Sequence, residues 1–345
     1  KQTQGFLIKS KRYFSAKVSI RASSVTKQQE EKKQPFQKEK KQKSLPYPKD
    51  QPSSNKKNVL PTSRFFCVAP RKGNENNNFA WYFAGWFDAK GNIRWLYRQN
   101  FNSSPILAIY FSLNNEPLVK ELLKIFGSAY AENTNDSCVL MITSKADLKK
   151  FVFLINGKLR TLKIFMLYEL MDWLNNNHYT NIKKLPLNEN SLHNDAWLSG
   201  FMDLKGSFSM RHTETKKRKI TCRLRIEIQK IDPDTYNINL KVLTSIAEFF
   251  GGKLLIRIQK STGKEFYLIV LWKKESLDIL VRYLDKYPLY SSKYLDYKDW
   301  KEIVLLLLKK KLYTKKNITK IDSAKNSMNS KRTLFNWDHL INLLP

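Results

Sequence analysis

Apolar positions between residues 79 and 309 recur in two rhythms, one helical and one strand-like, and the order of these rhythms is run through twice. The first pass opens with a helical run from Phe79 to Phe87. Gly85 lies inside it, at a cost of about 1 kcal/mol relative to alanine, which predicts a second backbone close by. Partly alternating aromatic sequence follows Gly91 through Tyr97, and an apolar run from Ile106 to Leu113 predicts a strand. Pro117 to Phe126 is an amphipathic helix stopped by Gly127, and Cys138 to Ile142 reads as a strand. Lys145 to Phe153 and Leu162 to Leu174 read as helices, the first ending near Gly157.

The second pass keeps that order. Ala196 to Leu204 is helical, Ser207 to Met210 starts a strand, and Arg223 to Gln229 alternates cleanly. Thr235 to Phe250 reads as a helix closed by Gly251-Gly252, and Leu254 to Ile258 with Phe266 to Trp272 as a hairpin through Ser261-Thr262-Gly263-Lys264. Helices over Ser276 to Leu284 and Tyr294 to Lys309 complete it. Each pass is an α+β unit, and the pair forms a tandem duplication with a period of about 115 residues.

The opening helices carry matching segments, Phe83-Ala84-Gly85-Trp86-Phe87-Asp88-Ala89-Lys90-Gly91 and Leu198-Ser199-Gly200-Phe201-Met202-Asp203-Leu204-Lys205-Gly206. These resemble the LAGLIDADG signature of intron-encoded homing endonucleases and RNA maturases, which occurs twice in single-chain members. Asn156 to Thr161 with Trp173-Leu174-Asn175, and Tyr287 to Tyr297 with Trp300 and Lys325 to Asn329, resemble the closing segments of the two repeats. The resemblance implies tandem pseudo-twofold repeats, each a curved antiparallel sheet with packing helices, over residues 78–190 and 191–332. Residues 1–77 are then a basic low-complexity extension and 333–345 a C-terminal tail. It also implies that Gly85 and Gly200 sit at the contact between the signature helices.

In that family the last acidic residue of each signature binds the metal ions that cleave DNA; here those positions are Lys90 and Lys205. Hard divalent cations take oxygen ligands, which an ammonium does not supply. Asp88 and Asp203 lie two residues earlier, about 200° around the helix. The expectation is therefore a chain that is not an enzyme, with no catalytic residue, no metal and no cofactor.

Charge narrows the partner. The 345 residues hold 62 Lys and Arg against 30 Asp and Glu, a net +32, which a polyanion would neutralise with release of counterions. No apolar run approaches the length of a membrane span, the longest block being Ile303 to Leu308. Cys67, Cys138 and Cys222 show no zinc or disulfide spacing. His178, His193, His212 and His339 form no cluster and read as structural or surface residues. Up to residue 70 there are 17 Lys and Arg against 4 Asp and Glu, and residues 1–28 are acid-free and Ser-rich. That composition fits a mitochondrial or plastid transit region, or a basic tail that contacts RNA.

The strands supply candidate contacts. Arg223, Arg225, Glu227 and Gln229 oppose Leu224, Ile226 and Ile228, while Lys253, Arg257 and Gln259 oppose Leu254, Ile256 and Ile258. With Arg94, Arg98, Arg211, Lys216, Lys217, Arg218, Lys219, Lys230, Lys260 and Lys264 they form the predicted nucleic-acid-binding set. Lys90 and Lys205 read equally as solvated helix ends or as phosphate contacts. Tyr97 and Tyr267 are candidates to stack on bases if exposed, while Trp95 reads as core. The favoured function is a structural rRNA-binding component of a mitochondrial ribosome, a monomer among neighbouring ribosomal proteins. A group I intron splicing maturase is the alternative, and an active DNA endonuclease has least support.

Overall fold

The computed structural model describes residues 75–95, 104–178, 180–213, 219–232, 239–310 and 314–343. The readings for the N-terminal extension, Tyr97, Arg98, Lys216, Lys217 and Arg218 fall outside these residues. Two repeats of the same order are present. The first runs α1 (Glu75–Lys90), β1 (Gly91–Trp95), β2 (Pro105–Ser112), α2 (Glu116–Leu123), β3 (Tyr130–Asn133), β4 (Ser137–Ile142), α3 (Lys145–Ile155) and α4 (Ile164–His178). The second runs α5 (Trp197–Lys205), β5 (Gly206–Thr213), β6 (Lys219–Gln229), α6 (Leu240–Phe249), β7 (Leu254–Ile258), β8 (Glu265–Leu271), α7 (Lys274–Lys286) and α8 (Lys293–Leu308). A further helix, α9 (Lys315–Asn326), packs on β5 and α8.

Each repeat folds one four-stranded antiparallel sheet, ordered β1-β2-β4-β3 and β5-β6-β8-β7. Because side chains alternate across a strand, one face of each sheet is apolar. Ile93, Leu107 and Ile142 share that face in the first sheet, and Phe208, Leu224 and Leu271 in the second. Both sets are buried with Trp86, Phe151, Trp197 and Trp300 in a single core. Local signals explain several boundaries. Ser144 caps α3 by accepting from the Asp147 N–H, while the Asp147 carboxylate receives the Gly127 and Ser128 N–H groups at 3.1 and 2.8 Å. That ties the end of α2 to the start of α3.

Three expectations change. The helix expected over Thr235 to Phe250 is described only from Leu240 to Phe249. β7 is an edge strand, and Ile256 and Ile258, expected on a buried face, are 58% and 60% exposed, while Leu254 alone of that face packs against the core. β3, in which every residue is exposed, and the polar helix α9 carry no apolar rhythm and were not anticipated.

Candidate nucleic-acid interface

The two signature helices touch backbone to backbone. A Cβ on Gly85 would lie 2.1 Å from the Trp197 carbonyl oxygen, and one on Gly200 would lie 2.0 Å from that of Tyr82. Hydrogen hence occupies the only space available at either position.

Beside this contact each helix buries one carboxylate. Asp203 accepts from Tyr82 Oη (2.7 Å) and Trp86 Nε1 (3.2 Å) of α1, from the N–H groups of Tyr290 (3.4 Å) and Ser291 (2.9 Å), and from the Ser291 hydroxyl. Asp88 repeats the pattern with Trp197 Nε1 (2.9 Å) of α5, the Arg160 N–H (2.8 Å) and the Thr161 hydroxyl (2.5 Å). Each acid thereby ties the opposite helix to the loop that enters the last helices of its own repeat. Burial pushes the Asp88 carboxyl above the usual carboxylate range, against the pull of those donors.

Lys90 and Lys205 are the last residues of α1 and α5. Near them are two lysines that the sequence reading did not single out. Lys163 is buried and donates to the Gly91 carbonyl at 2.6 Å, and Lys293 begins α8. Aligning the two closing segments places Lys163 over Lys293 and Thr161 over Ser291, a signal the sequence did hold. A cavity of ≈ 350 Å³ opens here, lined by Lys90, Asn114, Asn115, Ser292, Lys293 and Phe335 among others. Burial lowers the Lys293 ammonium below its ordinary range; Lys90 adds to that, while Asp203 and Asp296 oppose it. Desolvation lowers Lys90 as well.

The family resemblance implies divalent metal at this place, and the residues present do not fit it. Asp88 and Asp203 are committed to internal donors. Among the described residues no three His, Cys, Asp or Glu side chains converge to hold an ion.

The faces of the sheets turned away from the core differ sharply. In the second, Arg211, Arg223, Arg225 and Arg257 share that face. Arg225 and Arg257 both pair with Glu227 between them. Among the described residues of the first sheet's strands Arg94 is the only Lys or Arg, its guanidinium 5.5 Å from the centre of the Tyr110 ring. Of the other predicted contacts, Lys230 is paired with Glu265 at 2.8 Å, and Lys253, Lys260 and Lys264 are exposed around the hairpin of β7 and β8. Lys219 begins β6. Tyr267 faces the core at 6% exposure, so it offers no stacking surface; Trp95 is half-buried against Trp173.

Comparison with known proteins bears on these features together. Residues 198–304 match the model of the LAGLIDADG endonuclease family. The chain is similar to a protein named intron-encoded DNA endonuclease aI3 of Saccharomyces cerevisiae, 25% identical over 299 residues, covering 76% of this chain and 72% of that protein. A probable intron-encoded DNA endonuclease aI1 of Mycosarcoma maydis is 39% identical over 92 residues, 27% of this chain and 75% of that one. Among solved structures, the LAGLIDADG homing endonuclease I-GzeII in complex with its DNA target superposes with a TM-score of 0.55 at 20% identity, over 74% of this chain and 99% of that one. I-SmaMI bound to cleaved DNA gives 0.57 at 19%, over 73% and 97%. These relatives correct the expectation that the chain is not an enzyme, since they are named DNA endonucleases. That expectation weighed two substituted positions above the scaffold that carries them.

Proposed function

Because this chain belongs to the LAGLIDADG endonuclease family, we propose that it is a DNA-binding protein of the intron-encoded endonuclease type, holding a duplex across its two sheets. The observation that carries this reading is the row of Arg211, Arg223, Arg225 and Arg257 on one exposed face of the sheet that leads out of a signature helix. Guanidinium forks match phosphate geometry and stay charged. Lys90 and Lys293 add two cations at the helix bases, where the backbone passing between the sheets would lie. Among the described residues the first sheet offers Arg94 alone on its strands, so their grip is weighted towards the second repeat. A mitochondrial location agrees with relatives named as products of introns, one of them in cox1, and with the acid-free residues 1–28.

Structured RNA is the second reading, favoured by the net charge of +32 and the basic first 70 residues. Within it, a group I intron and rRNA are the two targets to separate. The deciding experiment titrates the full chain with duplex DNA, a group I intron transcript and rRNA fragments at several salt concentrations, scoring cleavage of the DNA in magnesium in the same reactions. Duplex DNA should bind, and Arg223→Glu should weaken it far more than Arg94→Glu. Tight binding to RNA alone, or equal effects of the two substitutions, sinks the DNA reading.

A further inference from the structure

Beyond the two repeats, the chain from Arg332 onwards turns back to the base of the signature helices. Arg332 pins it by bonding Asp296 at 2.8 Å and Asp299 at 2.5 Å, and Leu340 and Leu343 are buried. Along this segment four rings stack nearly parallel. Phe335 lies 6.4 Å and 17° from Trp337, Trp337 lies 5.6 Å and 25° from His339, and His339 lies 4.3 Å and 19° from Tyr294 of α8. A His339 ring nitrogen also lies 3.0 Å from the Tyr290 carbonyl oxygen.

Trp337 and His339 each have a ring on both sides. Phe335 is the end of the series, half-buried, and it forms part of the wall of the cavity that holds Lys90 and Lys293. The anchoring of the segment is accounted for by Arg332, His339 and the two leucines, so Phe335 is left facing a polar, cationic space. The two acids bordering that space are engaged, Asp203 with its five donors and Asp296 with Arg332. An aromatic ring beside paired ammonium groups matches the two halves of a nucleotide, since base stacking is indifferent to sequence and the phosphate requires cations. At ≈ 350 Å³ the cavity lies in the range of small-ligand pockets.

We propose that this cavity takes one unstacked nucleotide of the bound nucleic acid, with its phosphate on Lys90 and Lys293 and its base on Phe335. The inference rests on the duplex-binding reading above. Nothing in the paired-strand contacts of the sheets requires it, so the two separate in one experiment.

The full chain is titrated with a paired duplex and with the same duplex bearing a single bulged 2-aminopurine. The bulged duplex should bind more tightly, with its fluorescence quenched on binding. Phe335→Ala should weaken the bulged complex by about 5- to 150-fold and leave the paired one unchanged, while Phe335→Trp keeps the preference; thermal melting confirms that both variants fold. Equal affinity for the two duplexes, or equal weakening of both by Phe335→Ala, overturns the nucleotide site alone. Failure to bind the paired duplex overturns the duplex reading, and this one with it.

Discussion

Gly200 leaves room for a carbonyl oxygen where any side chain would collide, and Asp203, on the same helix, gathers five donors. The glycine was legible in the sequence because a helix-interior glycine has a known cost. The acid's role was not, since its donors arrive from Tyr82 and Trp86 of the other signature helix and from Tyr290 and Ser291 of a distant loop. Gly200→Ala should force the helices apart at a backbone contact, and at least about 3 kcal/mol of stability should be lost. A fall in Tm on the order of 10 °C checks this, and an unchanged Tm would mean that the helices slide freely. Lys90 and Lys293 carry a pH prediction. Desolvation in the cavity lowers both from the ordinary lysine range in the free protein, most firmly the half-buried Lys293, Lys90 being exposed, and a bound phosphate favours their charged forms. Binding therefore takes up protons, and affinity should fall as pH rises through the lowered values towards the ordinary lysine range. Folding responds with the opposite sign. In that window the unfolded chain binds more protons than the folded one, so these two lysines make the fold more stable as pH rises. Weaker binding with undiminished stability from these groups, measured by titration and by denaturant unfolding across that range, separates the effect from denaturation.

Strand faces were read correctly where a strand is interior and misread where it is an edge. Leu224, Ile226 and Ile228 are buried because β6 pairs on both sides and packs under helices, whereas Ile256 and Ile258 follow the same alternation on β7 and lie open. Alternation reports which residues share a face; it does not report whether anything covers that face. The elements without apolar rhythm, β3 and α9, were invisible for a related reason: their places are fixed by pairing and by docking, as when His212 of β5 meets Asp322 of α9 at 3.3 Å. Nor did the strand sequence reveal that Arg225 and Arg257 converge on Glu227, because the pairing depends on the register of β6, β8 and β7. That carboxylate sets a prediction at this scale. Glu227→Gln frees two guanidiniums and removes one negative charge from the cationic face, so binding should tighten by on the order of 0.5–1 kcal/mol. The slope of log affinity against log salt should steepen in the same measurement. Weaker binding instead would mean that Glu227 holds the two arginines in position for phosphate.

At the scale of the molecule, charge is divided unevenly, and the division makes a testable separation between attraction and fit. The repeats hold the arginine face and the lysines at the helix base, while residues 1–70 hold 17 of the 62 Lys and Arg and only 4 acids. A segment of that composition would meet a polyanion through counterion release, which is additive and indifferent to sequence. Each phosphate neutralised contributes about 0.7 to 0.9 log units to the salt slope. Removing residues 1–74 should therefore flatten the slope by several units and weaken binding strongly at moderate salt. It should leave the Tm of the repeats and their discrimination between a preferred and a scrambled duplex unchanged. Reversing Arg223 should do the converse, lowering discrimination with a slope change near one contact. Affinity titrations of both variants over a series of salt concentrations distinguish the two contributions. A truncated chain whose salt slope matches that of the full chain would show that the extension makes no phosphate contacts, leaving a transit segment as the account of its composition.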